Sequence, residues 1–348
     1  MGAAANSPLN QAKVLVTGGG GFVGTAVVRR LVDLGAQTAV LGRSEYPHLA
    51  KLGVQCHRGS VTDTNIVGLA CRNADVVFHV AALAGIWGGW SDYYQTNVIG
   101  TRNILQGCQK NGVKAVVYTS TPSVVFNQHD ILGQDEKHLD YASSFLCNYA
   151  KSKVIAEREM LTAARPDFHT TALRPHLIWG PEDPHLLPRL LQRGREKALK
   201  VIGDGQNKVD LTYIENVAHA HILAAENLLT TATATGKAYF ISDGDPVNLW
   251  QWINELFAAM GVAPIKRQVP FQLAYLVGWL LEYGYHVFAP EKEPKMTRFL
   301  AEQLAKNHYF SIDQARSDLG YTPIVTPEDG WHRTIQWLQN KSSEQPVR

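Results

Sequence analysis

The sequence predicts an α/β fold: a doubly wound parallel sheet with a smaller C-terminal lobe. Three observations carry this. Short β-branched runs alternate with helical patterns from residue 13 to about residue 180. Those runs are apolar at almost every position, as strands covered on both faces must be. The first run is followed at once by a glycine-rich loop, Thr17-Gly18-Gly19-Gly20-Gly21-Phe22-Val23-Gly24. In chain order the strands fall at residues 14–16, 38–41, 54–56, 76–78, 115–118 and 170–173. The helix after the loop is amphipathic through Val23, Val27, Val28 and Leu31. After Gly180 the texture changes. Pro181, Pro184 and Pro188 interrupt regular structure, and a helix-rich stretch with Trp250, Trp252, Trp279 and Trp331 follows.

Composition narrows the function. With 348 residues, 45% of them hydrophobic, the chain can bury a large core. Its 33 basic and 31 acidic residues leave a formal charge of +2 without a charge run, which argues against a nucleic-acid partner. Cys56, Cys71, Cys108 and Cys147 show no metal spacing and read as buried free thiols of a cytoplasmic protein. No metal site is expected, because His219 and His221 are two apart and no His-Glu-x-x-His pattern occurs. Residues 1–11 read as a disordered tail with neither a secretion signal nor a myristoylation site. The most apolar stretch, 271–288, contains Glu282 and His286, and its unbroken core of 273–281 is too short to span a bilayer. Leu273, Leu276, Val277, Leu280 and Leu281 form one stripe; Tyr275, Trp279, Glu282 and His286 form a mixed face. Core packing, a lid, a dimer contact and a membrane-surface anchor all suit that pattern.

The glycine loop suits a dinucleotide. Backbone must approach a pyrophosphate closely, and side chains at Gly18, Gly21 or Gly24 would block the turn or the helix packing. The helix then aims free N–H groups at the phosphates. Where the second strand ends, Gly42 supplies no carboxylate for ribose hydroxyls and Arg43 supplies a cation for a 2′-phosphate. NADP(H) is therefore expected over NAD(H). The competing reading makes Arg43 a solvated partner of Glu45.

Tyr149 and Lys153 are four apart and so share one helix face. An ammonium beside a phenol lowers a pKa that starts near 10, and the tyrosine can then exchange a proton with a carbonyl oxygen. The fifth strand runs into Thr119-Ser120-Thr121-Pro122-Ser123, whose hydroxyls can hold that oxygen.

These motifs, with His79-Val80-Ala81-Ala82, Asn97-Val98-Ile99-Gly100-Thr101, Leu173-Arg174-Pro175 and the run 210–218, resemble the extended short-chain dehydrogenases/reductases, in particular their 3β-hydroxysteroid dehydrogenase branch. The resemblance implies a Rossmann domain over 12–180, with a return contribution near 210–242, and a substrate-binding lobe mainly over 181–340. It implies Tyr149 as general acid, Lys153 as its partner and holder of the nicotinamide ribose, and Thr121 as the substrate-orienting hydroxyl. It also implies a cofactor site of Gly18, Gly21, Phe22, Val23, Gly24, Arg43, Ser60, Val61, Ala81, Ala82, Asn97, Tyr149, Lys153 and Pro175. Ser60 departs from the family's usual Asp at the adenine contact. The segments 84–90, 175–180, 203–208 and 297–302 are similar to the bacterial 2-alkyl-3-oxoalkanoate reductases of olefin biosynthesis, which implies NADPH-dependent reduction of a hydrophobic β-keto acid. The alternative is an NAD(P)-dependent 3β-hydroxysteroid or sterol-4-carboxylate 3-dehydrogenase. Lys208, Arg174 and His176 are positional candidates for a substrate carboxylate. Homodimerisation, and association with pathway enzymes or a membrane surface, stay open.

Overall fold

The computed structural model describes residues 7–344, with side chains through Lys341. The six expected strands all enter one seven-stranded sheet, built of β1 (Lys13–Thr17), β2 (Gln37–Gly42), β3 (Gln55–Arg58), β4 (Val76–His79), β5 (Ala115–Thr119), β6 (His169–Pro175) and β7 (Ala238–Ile241). Their spatial order is β7-β6-β5-β4-β1-β2-β3, and every neighbouring pair is parallel. This is the doubly wound Rossmann arrangement. Chain excursions leave β1 toward β2 on one side and reach β4 on the other, which opens a crevice at the carboxyl ends of β1 and β4.

Strand alternation explains why the sheet is covered twice. Val14, Val16, Val76, Phe78, Ala115 and Val117 feed one core; Leu15, Val77, Val116 and Tyr118, the intervening residues, feed the other. The first core is closed by α1 (Phe22–Asp33) and by the long helix Ile214–Leu229. The second is closed by α2 (Thr64–Ala70), α3 (Gly100–Asn111) and α4 (Asn148–Thr162). A third core, around Trp179, Leu187, Tyr213, Trp250, Trp252 and Phe257, belongs to the second lobe. That lobe is laced to the first, since the strand Ile131–Gln134 pairs with His308–Phe310.

Two expectations need correction. Residues 1–6 of the expected tail lie outside the described residues, but residues 7–11 are packed: Leu9 is fully buried and Ser7 Oγ donates to Glu226 at 2.6 Å. Cys56 is exposed, because the edge strand β3 turns it to solvent; the other three cysteines are buried. In the helix Phe271–Phe288 only Ala274 and Gly278 are buried, while Leu273, Leu276, Val277 and Leu280 of the apolar stripe face solvent. Packing selects the small residues there because the Thr297 backbone passes so close that a Cβ on Gly278 would lie 2.7 Å from its carbonyl carbon. Among the described residues no helix is long and apolar enough to cross a membrane.

Candidate active site

The loop after β1 makes a cradle only glycines allow. Gly18 adopts φ +67°, and a Cβ there would sit 2.9 Å from the Ala81 backbone at the end of β4. A Cβ on Gly24 would run into the Gly18 peptide. Gly21 precedes α1 without any side-chain cap, so the first-turn N–H groups of the helix remain available to an anion. The cradle opens into a cleft of about 490 Å³ that is lined by Gly18, Gly21, Phe22, Val23, Gly24, Arg43, Ser60, Val61, Ala81, Ala82, Thr121, Tyr149, Lys153 and Pro175. A phosphate-bearing dinucleotide fits this donor set. Arg43 is exposed, as the competing reading has it, but Glu45 pairs with Arg58 at 3.5 Å.

Asn97 is the one expected cofactor residue that does not line the cleft. It is buried in a π-helical turn, Tyr94–Ile99, where the widened helix aims its amide inward. Its Oδ1 accepts from Leu83 N at 2.7 Å, and its Nδ2 donates to Leu83 O at 3.0 Å and to Ser152 Oγ at 2.9 Å. Ser152 Oγ donates in turn to Tyr149 O at 2.8 Å. Asn97 therefore ties the loop after β4 to the first turn of α4.

Tyr149 and Lys153 sit one turn apart on α4, as their spacing requires. Burial pushes the Tyr149 phenol above its ordinary value, and a hydrogen bond with Thr121 opposes that shift. The expected lowering by Lys153 does not govern. The Lys153 ammonium instead donates to Thr119 O at 2.6 Å and lies 4.0 Å from the centre of the Tyr118 ring. Burial lowers Lys153 itself to about 7, with Glu157 pulling the other way.

Glu157, one more turn along α4, was not anticipated. It is fully buried, accepts from Arg174 Nη2 at 2.5 Å and from Tyr141 Oη at 2.7 Å, and stays below the ordinary carboxyl value because Arg174 offsets its burial. Its i+8 spacing from Tyr149 is visible in sequence; its partner on β6 is not. His79, also buried, is held between Thr17 Oγ1 at 2.8 Å and Thr101 Oγ1 at 3.0 Å. Since Thr101 Oγ1 spends its proton on Asn97 O, His79 donates through Nε2 and accepts at Nδ1. Burial, then the charge of Lys153, depress it to about 3, so the ring is neutral.

None of the positional candidates for a carboxylate lines this cleft. Arg174 is spent on Glu157, His176 on His308 at 2.6 Å, and Lys208 is exposed on the strand Lys208–Val209 of the second lobe. Among the described residues no group of His, Cys, Asp and Glu is arranged to hold a metal.

This cleft and its motifs lie within residues 15–273, which match the model of the 3-beta hydroxysteroid dehydrogenase/isomerase family. The chain belongs to that family. It is accordingly an enzyme of the oxidoreductase class. Within the family it is 45% identical over 322 residues to a 2-alkyl-3-oxoalkanoate reductase of Stenotrophomonas maltophilia, covering 92% of this chain and 98% of that protein. It is also 33% identical over 329 residues to a decarboxylating sterol-4-alpha-carboxylate 3-dehydrogenase of Mus musculus, covering 93% and 90%. The fold is shared with MoeE5, solved in complex with UDP-glucose and NAD, at TM-score 0.72 and 23% identity over 95% of this chain and all of that one.

Proposed function

We propose that this member of the 3-beta hydroxysteroid dehydrogenase/isomerase family is a cytoplasmic NADPH-dependent reductase that converts a 2-alkyl-3-oxoalkanoate to the 2-alkyl-3-hydroxyalkanoate. The observation that carries the reading is one cleft uniting the glycine cradle, an Arg43 with no ion-pair partner among the described residues, Thr121, Tyr149 and Lys153, in a chain similar along 92% of its length to a reductase of that name. A reduced nicotinamide, when bound, supplies hydride to the ketone carbon. The chain's residues do the rest. Gly18, Gly21 and Gly24 admit the pyrophosphate to the start of α1, and Arg43 meets the 2′-phosphate. Thr121 orients the ketone oxygen, and Tyr149 Oη gives it a proton. Burial keeps the phenol protonated at working pH, the form in which it can donate. Lys153 holds the ribose hydroxyls, and the Asn97–Ser152 bonds fix the turn that carries Tyr149.

The test runs the reaction in both directions with purified enzyme. NADP⁺ reduction by a long-chain 2-alkyl-3-hydroxy acid is compared with NADP⁺ and NAD⁺ reduction by a 3β-hydroxysterol, and NADPH oxidation is followed with fresh keto acid. Preference for the acyl substrate is expected. Preference for the sterol would move the function to the sterol 3-dehydrogenase reading, which the similarity to the mouse enzyme favours.

A further inference from the structure

Tyr46 lies where cofactor choice is made in this fold, yet no motif points to it. It follows Arg43 in the loop after β2 and precedes the short helix Pro47–Ala50, with its side chain turned back into the cleft wall beside Gly42 and Arg43. The ring rests on two glycines at once. A Cβ on Gly20 of the phosphate loop would fall inside the ring beside Cε1, and a Cβ on Gly42 would meet Oη and lie 2.6 Å from Cε2. The phenol hydroxyl has no hydrogen-bond partner among the described residues, and neither has the guanidinium of Arg43, which lines the same cleft.

We propose that Tyr46 is a cofactor-specificity residue, whose ring excludes a ribose-binding carboxylate from position 42 and whose hydroxyl joins Arg43 in binding the 2′-phosphate of NADPH. The end of the second strand is where an Asp or Glu holds the ribose hydroxyls of the unphosphorylated cofactor. In this chain any side chain at 42 has to displace the ring, and the ring is braced from behind by Gly20, so displacement disturbs the phosphate loop as well. A phenol O–H and a guanidinium lining the same cleft are donors suited to a phosphomonoester and are wasted on a neutral ribose hydroxyl pair.

The inference rests on the NADPH reading, and binding measurements separate the two. Dissociation constants for NADPH and NADH are measured by calorimetric titration on the unaltered enzyme and on Tyr46→Phe, Gly42→Asp, Tyr46→Ala and the double variant Gly42→Asp/Tyr46→Ala, with a thermal unfolding curve for each. Tyr46→Phe keeps the ring and removes only the hydroxyl. It should weaken NADPH about tenfold, the scale of one charge-assisted hydrogen bond, and leave NADH within about twofold. Gly42→Asp alone should weaken both cofactors, whereas the double variant, with the ring gone, should bind NADH more tightly than the unaltered enzyme does. Gly42→Asp that gains NADH with Tyr46 in place, or Tyr46→Phe that weakens both cofactors equally or neither, would overturn the role of Tyr46. An unaltered enzyme without NADPH preference would instead overturn the cofactor reading beneath it.

Discussion

Replacing Glu157 with Gln removes one negative charge and almost no volume, which isolates what that carboxylate does beneath the active site. Arg174, 4% exposed, would be left as a buried guanidinium facing an amide, and breaking a buried pair from one side costs about 3–5 kcal/mol. Unfolding entropy of about 2 cal/mol/K per residue turns that loss into a drop in Tm of roughly 4–7 °C for a chain of this length. The second effect is electrostatic. Lys153 stands at about 7 because burial depresses it, and Glu157 is the group that holds it up. Without that charge Lys153 falls further, and less of the ammonium survives at neutral pH. The charged lysine is the form that holds ribose and phenol, so the alkaline limb of the kcat/KM profile should move toward acid in Glu157→Gln. Calorimetry and a pH profile of the purified variant report the two effects separately. A lowered Tm with an unmoved alkaline limb would refute the electrostatic role and leave a purely structural one; an unchanged Tm would refute the ion-pair argument itself.

Tyr149→Phe should cut turnover by about 10²–10⁴ while NADPH binding stays within about twofold, and near-normal turnover would show that another group delivers the proton. Arg43→Ala should raise KM for NADPH about tenfold and leave KM for NADH unchanged, measured by steady-state kinetics. Burial depresses His79 to about 3 and His221 to about 4, and lowers His176 and His308 too, so each binds a proton on unfolding as pH falls below about 6.5. Asp210, raised to about 7, and Asp243, to about 6, act in the opposite sense with Glu136 and Glu302, but among the described residues these four raised carboxyls oppose six lowered imidazoles, His57 and His219 included. Urea unfolding should therefore show stability falling from pH 6.5 to 5, and a flat or rising profile would contradict it. Leu276→Ser with Leu280→Ser, at 51% and 55% exposure, should shift unfolding free energy by less than about 0.5 kcal/mol each, and a loss above about 2 kcal/mol would mean that the stripe is covered.

What the sequence conveyed, and what it withheld, divides along the range of the interactions. The strands β1, β2, β4 and β5 were legible because both faces of each are covered, so most of their residues are apolar and the run announces itself. The two-residue strands Lys208–Val209 and Val247–Asn248 carry no such signal, since they exist only through pairing, with each other and, at Val209, with His308. The Tyr149–Lys153 pair was legible because four residues of helix fix its geometry locally. Glu157 sits on the same face at the next turn, but its charge acquires meaning only through Arg174 on β6, and Tyr46 only through Gly20 and Gly42 beneath its ring. The helix Phe271–Phe288 makes the same point in reverse. Its leucine stripe was the loudest local signal and named the face that meets solvent, while the face against the protein is marked by Ala274 and Gly278, small enough for the Thr297 backbone to come close. Hydrophobicity states what a side chain gains if it is covered, whereas side-chain size decides how closely another backbone can approach; on this helix the second consideration set the packing, and only the three-dimensional arrangement reveals it.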